Sequence, residues 1–479
     1  MRGDDGILAP AWRALTIGLF LTIFVAAIEA LSVAAVMPLV EQDLRDLTLY
    51  GWVFSAFFLG QLVGISLVAR LIDTGPVRVP LALGLIVFAA GLVVASVAPS
   101  MGVLVGARVL QGIGAGAIPA VAFAVIGRAY PDELRPAMFA VVSTAWVVPA
   151  VFGPALAGFV GAHVGWRWVF AGLLPFVALA GTLAVRAVRV VPPPTTPAAA
   201  RGDDAGDVPE VTATAPSRPD RRIPLTLGLT AAATVTLAGA SLDGVAGAAM
   251  LVGGLVGTMW AFSRLTPRGT LRLARGVPAG VALKGLLVVA FFSADAFVPY
   301  AMVEGRGTEV WAGSLVITTV SLMWTVGSWI QARAVLRVGP VALCRVGFGC
   351  LALALAGMAI TMAASVPAAV AFLAWGLGGI GIGTVYGAVT GSVLATAPVG
   401  DEGATSASLQ LSETLGIALG TGAAGAVVSG LVERGATPAA AVAVVFVAAA
   451  VVALVGLVVA GRSPASVRRA AEPARPVTA

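Results

Sequence analysis

Residues 103–120 read VLVGARVLQGIGAGAIPA, an apolar helix that carries one permanently charged side chain, Arg108. An arginine keeps its proton in a protein, and placing it near the centre of a bilayer costs roughly 3 kcal/mol on insertion scales. Arg108 must therefore face protein or water rather than lipid. Gln111 follows by three residues and shares its helical face. Gly112, Gly114 and Gly116 line a smooth surface that another backbone can approach closely. The stretch predicts a buried polar site beside a tight helix contact.

The surrounding composition fits that reading. Of 479 residues, 59% are hydrophobic and only 11% charged, where an average soluble domain has about 25% charged, so the chain is expected to be a polytopic membrane protein. Apolar runs of spanning length fall at 14–38, 51–69, 79–98, 101–127, 137–161 and 168–186, then at 223–241 and 244–262, and finally at 279–303, 310–332, 341–363, 367–397, 404–432 and 437–461. The first run lacks a small-residue cleavage site and is expected to stay as the first helix. The predicted fold is an all-α integral membrane protein of 14 transmembrane helices. It divides into a six-helix bundle over 1–186, a polar cytoplasmic linker over 187–222, an inserted helical pair with a basic loop over 223–275, a second six-helix bundle over 276–461 and a cytoplasmic tail over 462–479.

The basic balance is an orientation signal. With the N-terminus inside, 23 of the 29 basic residues fall on the cytoplasmic side, four (Arg45, Arg167, Arg306, Arg434) outside, and Arg108 and Lys284 within helices. Both termini are thus predicted to be cytoplasmic, and the charge requires no nucleic acid. Cys344 and Cys350, the only cysteines, lie six residues apart on one apolar helix, where they cannot bridge.

The two halves repeat. QGIGAG at 111–116 matches GGIGIG at 378–383, an offset of 267, and Pro131 and Pro398 each follow nineteen residues after the first matched glycine. Ala69, Arg70, Gly75, Pro76 and Val77 recur as Ala332, Arg333, Gly339, Pro340 and Val341. Glu29 plus 266 is Asp295, an acid in both first helices, whereas Arg108 plus 267 is Trp375. The halves share a fold and divide the polar work.

Five ionisable groups fall within predicted helices: Glu29, Arg108, Lys284, Asp295 and Glu413. At roughly 3 kcal/mol each, structural convenience does not account for all five. A carboxyl group in a low-dielectric interior can gain and lose a proton in the working range, as a proton-coupled carrier requires. The plainer reading makes Glu29 with Arg108, or Asp295 with Lys284, a fixed salt bridge. Lys284 is also placed to snorkel toward the cytoplasmic interface, and His163 and Asp243 to sit in outer turns. Lys284 lacks the Gly-Lys-Ser/Thr context of a phosphate loop, no nucleophile stands with a base, and one His and two Cys serve metal poorly. The chain is not expected to be an enzyme.

These residues resemble the major facilitator superfamily, in particular its fourteen-helix drug:proton antiporter branch. RVLQGIGAG, 108–116, resembles the motif whose arginine is assigned to proton coupling. PAVFGPALAG, with Pro149, Gly153, Pro154 and Gly158, is similar to the antiporter motif, whose Gly and Pro residues bend the helix and let the halves approach. ARLIDTGPVR resembles the cytoplasmic gate motif in Asp73, Gly75 and Arg78, with Ala69 in place of a glycine and the spacing one residue short; IEALSVAAVMP resembles the acidic first-helix motif with Glu29 in place of Asp. GWRWVF, 165–170, is similar to the branch's outer start of helix six.

The resemblance implies a monomeric secondary transporter of the plasma membrane, working by alternating access with the proton as coupling ion and no other cofactor. Its partners would be the bilayer, protons and a small hydrophobic substrate, cations included. Glu29, Arg108, Asp295 and Glu413 would couple protons around a central cavity, with Gln111, Trp146, Trp324 and Trp375 as substrate surface. A proton-linked carrier of one metabolite, siderophore or lipid shares every one of these features.

Overall fold

A computed structural model describes residues 6–10, 12–131, 133–191, 222–398 and 401–465. Fourteen of its helices are long and apolar enough to cross a membrane, and no strand occurs among the described residues. Inside a bilayer each backbone N–H and C=O must be satisfied within its own segment, which leaves such apolar runs the helix. The first half comprises α1 (Arg13–Leu44), α2 (Tyr50–Thr74), α3 (Arg78–Ser96), α4 (Met101–Ala129), α5 (Arg135–His163) and α6 (Arg167–Val190). The inserted pair is α7 (Arg222–Ala240) and α8 (Gly244–Leu265). The second half comprises α9 (Val277–Gly305), α10 (Val310–Val338), α11 (Pro340–Thr361), α12 (Val370–Ala395), α13 (Glu402–Glu433) and α14 (Pro438–Val459). Residues 192–221 and 466–479, most of the expected linker and tail, lie outside the described residues.

The repeated glycines build the same junction twice. A Cβ on Gly112 or Gly116 of α4 would run into the Phe57 or Gln61 carbonyl of α2, and one on Gly114 into Gly84 and Phe88 of α3. In the second half, Gly379 and Gly383 of α12 press on the Val320 and Trp324 carbonyls of α10, while Gly381 meets Gly347 and Leu351 of α11. Small residues at alternate positions thus let one helix touch two neighbours at backbone distance.

The halves meet at the end of the bundle far from the termini. Gly51 of α2 and Gly425 of α13 approach so closely that a side chain on either would overlap the other's Cα. Ser55 donates to the Ala418 carbonyl at 2.7 Å, and Gln42 donates to Glu304 at 2.8 Å. The Tyr50 ring packs on Phe297 and Tyr300 at 4.9 and 5.4 Å. On α5, Gly158 faces Ser314 of α10, where a Cβ would lie 2.8 Å from the serine Cβ. The inserted pair covers this seam from outside: Leu229 and Leu237 of α7 join Leu59 and Leu62 of α2 and Leu415 and Ala418 of α13 in one apolar cluster.

Three of the four arginines at the far end are side-chain ties, and the fourth, Arg45, closes a helix. Arg167 pairs with Asp43 at 2.7 Å, Arg434 with Asp243 at 3.1 Å, Arg306 caps the Ala363 and Val366 carbonyls, and Arg45 ends α1 with φ 52°.

Candidate functional site

Arg108 and Glu29 form a buried ion pair between α4 and α1, with both side chains at most 2% exposed. The guanidinium also donates from Nε to the Val53 carbonyl at 3.0 Å and from Nη1 to Gln111 Oε1 at 2.6 Å. It lies 4.3 Å from the centroid of the Phe57 ring. An isolated charge would be prohibitive here, so the cation is surrounded by acceptors and one aromatic face. Glu29 Oε2 and Gln111 Nε2 are buried with no hydrogen-bond partner. Gln111 was expected on a substrate surface; it is fully enclosed instead, because its amide serves Arg108.

The same place in the second half is built differently. α9 loses its regular turn at Asp295, and the cause is four residues on: Pro299 has no N–H for the Asp295 carbonyl. The Asp295 carboxylate accepts the Trp375 indole N–H at 3.0 Å. Trp375, expected as cavity surface, has no exposure; its ring stacks on Phe291 at 5.1 Å and 13°. The repeat therefore sets an ion pair against a carboxylate–indole pair.

Lys284 neither snorkels nor pairs with Asp295. It lies eleven residues before Asp295 on α9, about 16 Å along the helix at 1.5 Å per residue, and is 1% exposed. Its ammonium pairs with Glu413 of α13 at 3.2 Å, donates to Thr390 of α12 at 3.2 Å and sits 2.8 Å from the centroid of the Tyr386 ring. The Tyr386 hydroxyl donates to both Glu413 oxygens at 2.9 and 3.0 Å. Close packing of α9 on α13 at Gly285 and Gly416 brings the two charges together. Tyr386 and Thr390 went unnoticed in the sequence.

Trp324 is half-buried between these two centres, 5.5 Å from Phe291 and 5.6 Å from Tyr386. Trp146 is 46% exposed on α5. Pro149, Gly153, Pro154 and Gly158 are buried along one face of α5, toward α1 at Gly153 and α10 at Gly158. Gly75 ends α2, with its N–H on the Leu71 carbonyl at 3.2 Å, and Arg78 opens α3, exposed. The Asp73 side chain lies outside the described residues. His163 ends α5 and stacks on Phe159. Cys344 and Cys350 are free thiols.

A family model described as "Major Facilitator Superfamily" matches residues 19–421. "Multidrug resistance protein 3" of Bacillus subtilis is 29% identical over 165 residues, 34% of this chain and 32% of that protein. "Vacuolar basic amino acid transporter 5" of Saccharomyces cerevisiae is 28% identical over 162 residues, 34% of this chain and 28% of that protein. The matched stretch spans about a third of these curated relatives. Among solved structures, an auto-inhibited POT family peptide transporter superposes with a TM-score of 0.64 at 17% identity, covering 96% of this chain and 98% of the other, which is a likeness of fold.

Proposed function

From the premise that this chain belongs to the major facilitator superfamily and is a multi-pass membrane transporter, we propose that it is a proton-coupled exporter of hydrophobic cations from the cell, working by alternating access in the plasma membrane with both termini cytoplasmic. The observation that carries this reading is the pair of carboxylates at repeat-related positions, Glu29 held by Arg108 and Asp295 held by the Trp375 indole. Taking a proton neutralises the buried carboxylate and weakens its hold on its partner, the Arg108 guanidinium at Glu29 and the Trp375 indole at Asp295. The exchange runs as follows. Protonation from the outer side frees the substrate; after the halves rock about the central cavity, loss of the proton inside restores the anion and draws in the next cation. Arg108 is the fixed counter-charge, Glu29 and Asp295 carry protons, and Glu413 supplies a further anion.

Contact at the far end through Gly51–Gly425 and Gly158–Ser314 supports a rocking arrangement, because small residues permit two packings of the same surface. The antiporter-type glycine, Gly158, stands at that contact. A relative named for basic amino acids keeps open the reading of a carrier for one metabolite. Proteoliposomes loaded with ethidium test the proposal: an imposed pH gradient drives ethidium movement that a protonophore abolishes, and transport indifferent to the protonophore contradicts proton coupling.

A further inference from the structure

Lys284, Glu413, Tyr386 and Thr390 form a closed polar cluster in the second half only. At the repeat offsets of 266 and 267, Lys284 and Tyr386 correspond to Gly18 and Pro119, so the first half builds the same helices with neither the cation nor the phenol. The fold does not require this cluster. A buried ion pair is in itself weak support for stability, since well-packed apolar residues of similar volume do as well or better.

The parts of the cluster are those of a receptor for an ammonium group. Glu413 supplies the anion, fixed by two bonds from the Tyr386 hydroxyl. The Tyr386 ring offers its negative face, and Thr390 accepts one N–H. The Lys284 ammonium occupies all three. Its side chain is 2% exposed while that of Glu413 is 16% exposed, so the anion is open to approach from the side Lys284 does not cover. Trp324, half-buried, continues the aromatic surface of Tyr386 at a centroid distance of 5.6 Å.

We infer that Glu413, Tyr386 and Thr390 are a binding site for the ammonium group of a small aromatic or aliphatic amine, and that Lys284 is its tethered occupant, displaced when substrate binds. This rests on the exporter reading above and adds to it the class of substrate and the residue that competes with it. A tethered competitor lowers apparent affinity by the fraction of time the site is occupied from within. It also restores a counter-charge to Glu413 when the substrate leaves, so the empty carrier does not strand a buried anion.

Binding of phenethylammonium to the purified full-length protein in lipid nanodiscs, measured by calorimetry without a pH gradient, tests the inference. Its uncharged isostere 2-phenylethanol serves as the control. Lys284→Met is expected to tighten phenethylammonium binding about tenfold, with 2-phenylethanol unaffected. Glu413→Gln in the Lys284→Met background is expected to remove that gain. Tyr386→Leu leaves both charges paired, so it preserves the fold, and it weakens binding in the wild-type background about tenfold. Binding that is unchanged or weaker in Lys284→Met, a gain that survives Glu413→Gln, or indifference to Tyr386→Leu each overturns the site. Equilibrium binding that behaves as expected in a protein lacking gradient-driven ethidium transport would leave the site standing and sink the exporter; the reverse pattern would sink only the site.

Discussion

Trp375 donates its indole N–H to Asp295 at 3.0 Å, at the repeat position where the other half joins Arg108 to Glu29. The two halves thus hold equivalent carboxylates by unlike means. Protonating Glu29 leaves a buried guanidinium without its anion; protonating Asp295 leaves only a neutral indole. Asp295 is accordingly the carboxylate whose charge changes with the lesser electrostatic consequence, and Glu29 the one whose protonation does more to its surroundings.

Asp295→Asn separates the proton from the packing. The amide oxygen still accepts the Trp375 N–H, so thermal unfolding in detergent is expected to change by less than about 1 kcal/mol. Gradient-driven ethidium transport in proteoliposomes is expected to be lost, because the amide cannot exchange a proton.

Arg108→Ala is expected to destabilise the protein by about 3–5 kcal/mol, since it strands the buried Glu29. Arg108→Ala combined with Glu29→Ala is expected to recover part of that loss. Thermal unfolding of the wild type and the two variants in one detergent checks the sign, and a double variant less stable than the single would contradict the pairing.

The repeat, the fourteen helices and the pairing of Glu29 with Arg108 were legible because each is written in spacing or in the scarcity of charge along apolar runs. Lys284 was misread for a physical reason. It stands seven residues into α9, a position from which a long side chain often reaches the interface, and its true partner is on α13, 129 residues away. Nothing local marks that contact. Tyr386 was invisible because an aromatic residue on an apolar helix looks the same whether it packs or binds. Gln111 and Trp375 were placed on the right elements with the wrong exposure, as the face of a helix that is apolar all round is set by its neighbours.

The helix junctions give a packing test. Gly114→Leu is expected to lower stability by at least about 1–3 kcal/mol, because α3 backbone atoms occupy the space. Gly106→Ala, with nothing within 4 Å, is expected to be near neutral. Melting temperatures of the two variants check the contrast.

Contact between the halves can be read by labelling. In a Cys344→Ser/Cys350→Ser background, a cysteine replacing the buried Ser55 reports on the α2–α13 seam. Gly425→Leu is expected to raise its maleimide labelling rate, because the added side chain collides with Gly51 and holds the far end apart.

In the proposed exporter, cation binding is coupled to proton loss at Glu29 and Asp295. Proton release from the purified protein in a lightly buffered, pH-indicator solution on adding ethidium measures it directly. The wild type is expected to release protons in proportion to ethidium bound, with release reduced in Glu29→Gln and in Asp295→Asn and abolished when the two are combined. Undiminished release from the double variant while it still binds ethidium would contradict the account.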